Sequence, residues 1–194
     1  MNKLMRLSLP LAGCVLLLAA GESIPSLQNA LVVDPAQTKI EFTLPSTLHT
    51  IHGTFQLKRG TLRFDPASGM ASGELVVDAT SGDSGSHARD HRMHASILES
   101  ERYPEIVFRP DRVEGKVAAQ GKSQVQLHGI FTIHGGDHEI ALPLTVDAEG
   151  GSYTVDGTFF IPYVKWGLKN PSTLMLRVSD KVELTIHTTA HTGT

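Results

Sequence analysis

Residues 125–146 read VQLHGIFTIHGGDHEIALPLTV. Val125, Leu127, Gly129, Phe131 and Ile133 share one parity before the glycines, and Ile140, Leu142, Leu144 and Val146 share one after them. A period of two marks a strand with one buried face. Gly135-Gly136-Asp137 supplies turn residues between the two runs, so the stretch reads as an antiparallel hairpin. Pro143 has no amide hydrogen and predicts an edge or a locally unpaired position in the second strand.

The same alternation extends in both directions. Upstream, Ile40, Phe42 and Leu44 share one face, and Phe55 and Leu57 begin another strand. Leu62 and Phe64 fall on the opposite parity, with Gly60 between the two sets, which predicts a bulge. Ala71, Gly73, Leu75, Val77 and Ala79 form a further strand, and another runs from about Glu105 to Ala118. Downstream, Tyr153, Val155, Gly157, Phe159, Ile161 and Tyr163 alternate. A loop with Trp166, Gly167 and Pro171 follows, and a last strand is expected from Leu174 to Thr189. Residues 22–33 read as a loose arm. The count is eight strands joined mostly by short turns, which predicts an all-β, eight-stranded antiparallel barrel. Such an interior is either filled by side chains or holds one small ligand, and periodicity does not distinguish the two. Gly73, Gly129 and Gly157 stand on the apolar parity, where they either leave a channel open or permit tight coiling.

One long interval breaks the alternation: ARDHRMHASILESERYPEIVFRP, residues 88–110. Met93, Ile97 and Leu98 suit one face of a short helix opened by Ser86 or His87, and Tyr103-Pro104 returns the chain to extended geometry. A single helix in a strand protein covers an opening or fills an end. His87, His91 and His94 lie at i, i+4 and i+7, a spacing at which imidazoles can share a zinc ion. No cysteine completes the set, and the expectation is surface histidines with no metal. Arg89-Asp90 reads as a capping and ion-pair feature of this helix.

Residues 1–21 read as a signal peptide: Lys3 and Arg6 precede an apolar run from Leu7 to Ala20, and Ala19-Ala20-Gly21 suits a signal peptidase. That run is too short to favour a membrane span. Leu11-Ala12-Gly13-Cys14 also matches a lipobox around the single cysteine. The apolar run continues past it, so a periplasmic or secreted protein without an acyl anchor is expected. The formal net charge of -3 carries no footprint for nucleic acid. There is no G-x-S-x-G, no phosphate loop and no cysteine nucleophile in the strand region. These absences point to no enzyme, no catalytic residues and no cofactor.

Several segments together resemble the YceI-like family, lipocalin-like bacterial barrels associated with binding polyisoprenoid lipids. They are Asp34 to Phe42, Gly53-Thr54-Phe55, Arg89-Asp90, Tyr103 to Phe108, Gly129 to Gly135 with Leu142-Pro143-Leu144, and Tyr163 to Gly167. The likeness spans residues 33–189. Two positions depart from the family pattern: Arg92-Met93 stand where His-Leu is usual, and Arg109 where serine often follows Phe108. The resemblance implies a barrel over residues 34–190 that holds an amphipathic, isoprenoid-like lipid in an apolar tunnel. Phe42, Leu75, Val77, Leu127, Phe131, Leu142, Leu144, Phe159 and Ile161 would line that tunnel. Met93, Ile97, Leu98 and Trp166 would form its lid or mouth, and Arg89 and Asp90 would hold the helix or meet a polar head. A filled-core structural or stress-related envelope protein, a metal-binding histidine helix and a homodimer remain open at this level.

Overall fold

The computed structural model describes residues 30–193, so the leader, Cys14 and most of the N-terminal arm lie outside the described residues. Among the described residues nine strands form one antiparallel sheet: β1 (Leu31–Val33), β2 (Lys39–Leu44), β3 (Ile51–Phe64), β4 (Ala71–Asp83), β5 (Glu105–Glu114), β6 (Gly121–Ile133), β7 (Gly136–Glu149), β8 (Ser152–Ile161) and β9 (Val182–Thr192). The sheet closes where β3 pairs with β4. Because β1 and β2 both lie between β3 and β9, they are two halves of one stave, and the barrel has eight staves.

Residues 31–33, expected within the loose arm, are therefore part of the wall. A single 3-10 turn, Pro35–Gln37, breaks the stave. Asp34 caps that turn by accepting from the Ala36 amide at 2.8 Å, and Pro35 stands where a missing amide hydrogen costs nothing.

The turns follow from backbone requirements. Ile133 pairs with Gly136, so His134-Gly135 are the two loop residues, one position earlier than expected. Their φ values of 51° and 75° are those of a type I′ turn, whose twist matches the flanking strands. Gly150-Gly151 make an equivalent turn, with Glu149 opposite Ser152.

Register shifts in β3 between Thr54 and Gln56 and between Leu57 and Arg59 provide the expected change of face just before Gly60. Pairing of β7 with β8 covers only 144–149 on β7, so Pro143 and the residues before it in β7 pair with β6 alone. That matches a residue unable to donate to the ladder.

Two strand boundaries differ from expectation. The fifth strand stops at Glu114, and β9 starts at Val182 instead of Leu174. Leu174, Leu176 and Val178 do alternate, but Thr173 and Leu176 close a turn, and the Asn170 amide reaches the carbonyls of Val178 and Ser179. Residues 162–181 are thus a long loop, tied to the 45–50 loop by an isolated bridge between Ser46 and Val178 and by the Ser179 amide donating to the Pro45 carbonyl at 2.9 Å.

The two longest connections among the described residues, the lid segment 84–104 and the loop 162–181, lie at one end with 45–50 and the turn 134–135, while 65–70, 115–120 and 150–151 close the other end. The lid is one helix in two forms, α1 (His87–Arg92) followed by a π-helical turn (Met93–Leu98), and it ends at Glu99 in a left-handed conformation.

Candidate functional site

Inside the barrel, under the lid, lies an apolar cavity of about 270 Å³. That is just below the roughly 300–1,000 Å³ of common small-molecule pockets. Its deep end is made by Val33, Ile40, Leu57, Thr38 and Thr188. The two threonine hydroxyls lie 2.5 Å apart, and that of Thr38 donates to the Asp34 carbonyl at 2.7 Å. Thr188 is therefore the donor between them, and the floor presents no unsatisfied hydroxyl.

The middle of the cavity is lined by Phe42, Phe55, Leu75, Val77, Phe131, Leu142, Phe159, Ile161, Leu184 and Ile186. Phe42 and Phe55 pack tilted with centroids 5.5 Å apart. Leu75, Val77, Leu184 and Ile186 line the cavity yet are only partly buried. In a filled core such residues would be closed off by neighbours. The barrel is hollow at this level.

At the mouth stand Met93, Ile97 and Leu98 from the lid, Arg89, Arg92 and Ser84 beside them, and Tyr163, Leu168, Pro171, Leu176 and Val178 from the long loop. Met93, Ile97 and Leu98 recur on one face of the helix as their spacing requires, and Leu98 is buried. A relay of hydrogen bonds positions the polar group. Asp90 Oδ1 accepts from the Ser84 hydroxyl at 2.6 Å and the Ser84 amide at 2.9 Å. The Ser84 hydroxyl accepts from Arg89 Nε at 3.2 Å, and the Ser84 carbonyl accepts from the Arg89 guanidinium at 2.9 Å. Burial pushes the Asp90 carboxyl upward, but the Ser84 hydrogen bonds and the neighbouring Arg89 outweigh it and hold the group below its ordinary value. Asp90 thus serves the helix, and its side chain is not part of the cavity wall.

Leu127 and Leu144, expected in the tunnel wall, and Trp166, expected at its lid or mouth, also stand apart from the cavity. Leu127 and Leu144 belong to the packed core beside it, and the Leu144 side chain covers the space opposite Gly157. Trp166 stacks flat on His138 at 4.3 Å and packs against Phe131 at 5.6 Å, bracing the rim of β7 from outside the lining.

None of the three inward-parity glycines borders the cavity. Gly73 has φ 115° and lies against the Thr61 backbone, and Gly129 lies against the Arg109 carbonyl and Pro110 Cα. Close backbone approach, at Gly129 beside the register shift between Pro110 and Arg112, accounts for both without an open channel.

His94 turns inward, with Nε2 2.9 Å from the Gly82 carbonyl and Nδ1 3.1 Å from the buried Ser100 hydroxyl. Nε2 is therefore the donor to Gly82, and the ring pins the lid to β4. Among the described residues no group of three His, Cys, Asp or Glu is placed to hold a metal.

Several lining residues carried a readable signal. Ile40 shares the face of Phe42, and Leu184 and Ile186 share one parity in β9, so alternation placed them inward. Tyr163 continues the parity of Phe159 and Ile161, whereas Arg92 and Leu168 had no such signal, because loop and helix-end contacts follow no period.

A closed antiparallel barrel with a helix across one end and an apolar cavity beneath it defines a cavity-forming β-barrel protein. The chain belongs to the YceI-like family, whose YceI-like domain model matches residues 31–190. UPF0312 proteins of Pseudomonas savastanoi pv. phaseolicola and Pseudomonas syringae pv. tomato are 33% identical over 129 residues. The match covers 62% of this chain and 65% of theirs, so the chain spans just under two thirds of the length of these relatives. Among solved structures, Burkholderia cenocepacia BcnA is 22% identical, with a TM-score of 0.66 over 81% of this chain and 98% of its own. A polyisoprenoid-binding domain from Saccharophagus degradans, implicated in plant cell wall breakdown, is 15% identical, with a TM-score of 0.62 over 86% of this chain and 100% of its own. The Campylobacter jejuni YCEI protein is 18% identical, with a TM-score of 0.56 over 70% of this chain and 81% of its own. Among the described residues no helix is long and apolar enough to cross a membrane.

Proposed function

We propose that this is an exported, non-catalytic binding protein of the periplasm that holds an amphipathic, isoprenoid-like lipid, tail inside the barrel and polar head at the mouth. The observation that carries this reading is the partly unburied apolar wall formed by Leu75, Val77, Leu184 and Ile186 around the cavity. Apolar burial at about 25 cal/mol per Å² is the source of affinity, reduced by the cost of ordering a flexible tail. Met93 at the mouth adapts its shape to such a tail. The head would sit beside Arg89, which is oriented by Ser84, and Arg92, which also lines the mouth. The family membership and the polyisoprenoid-binding description of the Saccharophagus domain support the ligand class. Export rests on the leader-like residues 1–21.

Native mass spectrometry of protein purified from its own envelope tests the reading. A bound lipid mass is expected in the natural protein and its loss in Ile186→Trp, which fills the cavity. Protein that carries no lipid and takes up no fluorescent fatty acid or prenyl probe would favour a structural envelope role instead.

A further inference from the structure

The mouth of the barrel is apolar on its outside as well as its inside. Leu174 is 100% exposed, Met175 89% and Leu48 74%, and all three stand on loops of the mouth end. The two loops are tied together: the Thr47 amide donates to the Arg177 carbonyl at 2.9 Å, and the Arg177 amide donates to the Thr47 hydroxyl at 3.2 Å. The turn closed by Thr173 and Leu176 holds Leu174 and Met175 at its tip. Leu176 and Val178, next in the chain, line the cavity, so the exposed tips and the cavity wall are one continuous apolar strip.

The loop is basic in a chain that is not. Residues 162–181 hold Lys165, Lys169, Arg177 and Lys181 against Asp180 alone, whereas the whole chain is formally -3. All four cations are exposed, and Lys169 stands 3.8 Å from Glu99 Oε1, which leaves Lys165, Arg177 and Lys181 as the cations with no acidic partner among the described residues. Apolar tips flanked by cations are the composition that settles at the headgroup boundary of an anionic bilayer. We propose that the 162–181 loop and the 45–50 loop dock the mouth of the barrel onto an anionic lipid surface. Leu48, Leu174 and Met175 enter the acyl boundary and the cations meet the phosphates. The cavity then opens toward the membrane, giving a lipid a route that avoids water. The docking surface stands on its own geometry, and its use for loading rests on the cavity being a lipid site.

Co-sedimentation of the purified protein with phosphatidylcholine vesicles, with and without phosphatidylglycerol, tests the proposal. Binding is expected to the anionic vesicles, to weaken with added salt, and to fall by roughly tenfold or more in the double variant Leu174→Ser, Met175→Ser. Thermal unfolding should not change, since neither side chain is packed. Equal sedimentation of natural and variant protein, or no preference for the anionic vesicles, would overturn the proposal. So would a dimer in vesicle-free buffer that the double variant dissociates, because a second copy would then be the occupant of this surface. Uptake of a fluorescent fatty acid without vesicles separates the two readings. Uptake without vesicle binding removes the docking surface alone, and vesicle binding without uptake removes the cavity ligand alone.

Discussion

Glu99 and His134, the two non-glycine residues with left-handed backbone among the described residues, meet each other across the mouth of the barrel. Glu99 Oε1 lies 3.4 Å from His134 Nε2, close but out of line for a hydrogen bond. The same oxygen is 3.8 Å from Lys169 Nζ, and the His134 ring packs on Tyr103 at 4.7 Å. Glu99 ends the lid helix, His134 opens the β6–β7 turn and Lys169 belongs to the long loop, so one carboxylate joins three of the mouth's segments.

That arrangement separates backbone strain from tethering. A left-handed L-residue costs about 1–2 kcal/mol, and exposed ion pairs contribute about 0–1 kcal/mol. Glu99→Gly is therefore expected to keep or slightly raise global stability while amide exchange in 87–98 quickens. Glu99→Gln keeps the strain and loses the charge, so it should lower stability by less than about 1 kcal/mol. Unchanged exchange in both variants would show that Glu99 does not tether the lid.

How far the sequence was legible follows from the range of each contact. Alternation alone placed Phe42, Phe131, Leu142, Phe159 and Ile161 on the inner wall, because strand parity is a local property. Alternation misled at Leu174, where the turn between Thr173 and Leu176 and the bonds to Thr47 replace a ladder. Parity also could not separate Leu127 and Leu144 from the lining residues, since both share the inward parity but neither borders the cavity. The role of Asp90 was half visible: its place in the helix is a sequence fact, but its partner Ser84 depends on how the preceding loop folds back.

Asp90 makes the lid sensitive to acid in one direction. Its carboxyl sits below the ordinary value in the folded protein, so its contribution is complete above the ordinary carboxylate range and lost as pH falls through the folded value. Asp90→Ala is expected to destabilise the neutral protein by about 1 kcal/mol through the lost Ser84 bonds. The gap between natural and variant protein should close on acidification. A gap that stays constant down to strongly acid pH would dissociate the carboxylate from lid stability.

Tyr163 gives the opposite limit. Its hydroxyl donates to the Ser179 carbonyl at 2.6 Å, and burial, with Asp180 adding to it, pushes its pKa up to about 12 from an ordinary 10.0. The raised value means the contribution is complete below the unfolded value and lost as pH rises from the ordinary toward the folded one. Tyr163→Phe should lose about 1 kcal/mol at neutral pH and should not share the alkaline decline of the natural protein. Denaturant midpoints measured across alkaline pH check both statements, and identical alkaline profiles would contradict them.

Gly129 and Gly157 should respond differently to the same added methyl group. A Cβ at Gly129 would run into the Arg109 carbonyl and lie 2.7 Å from Pro110 Cα, both backbone atoms of the paired strand. Backbone at a bulge cannot step aside without breaking the β5–β6 ladder. A Cβ at Gly157 would meet Leu144 Cδ2 at 2.5 Å, the end of a flexible side chain, with the Pro143 carbonyl at 3.1 Å. Gly157→Ala is therefore expected to cost within the roughly 1–3 kcal/mol of ordinary overpacking, and Gly129→Ala more than that. Neither glycine borders the cavity, so any variant that folds should still take up a fluorescent fatty acid or prenyl probe. Denaturant midpoints and probe uptake on the same preparations decide the point. A stable Gly129→Ala would refute the close-approach account, and a folded variant of either that loses uptake would place that glycine on the ligand's path.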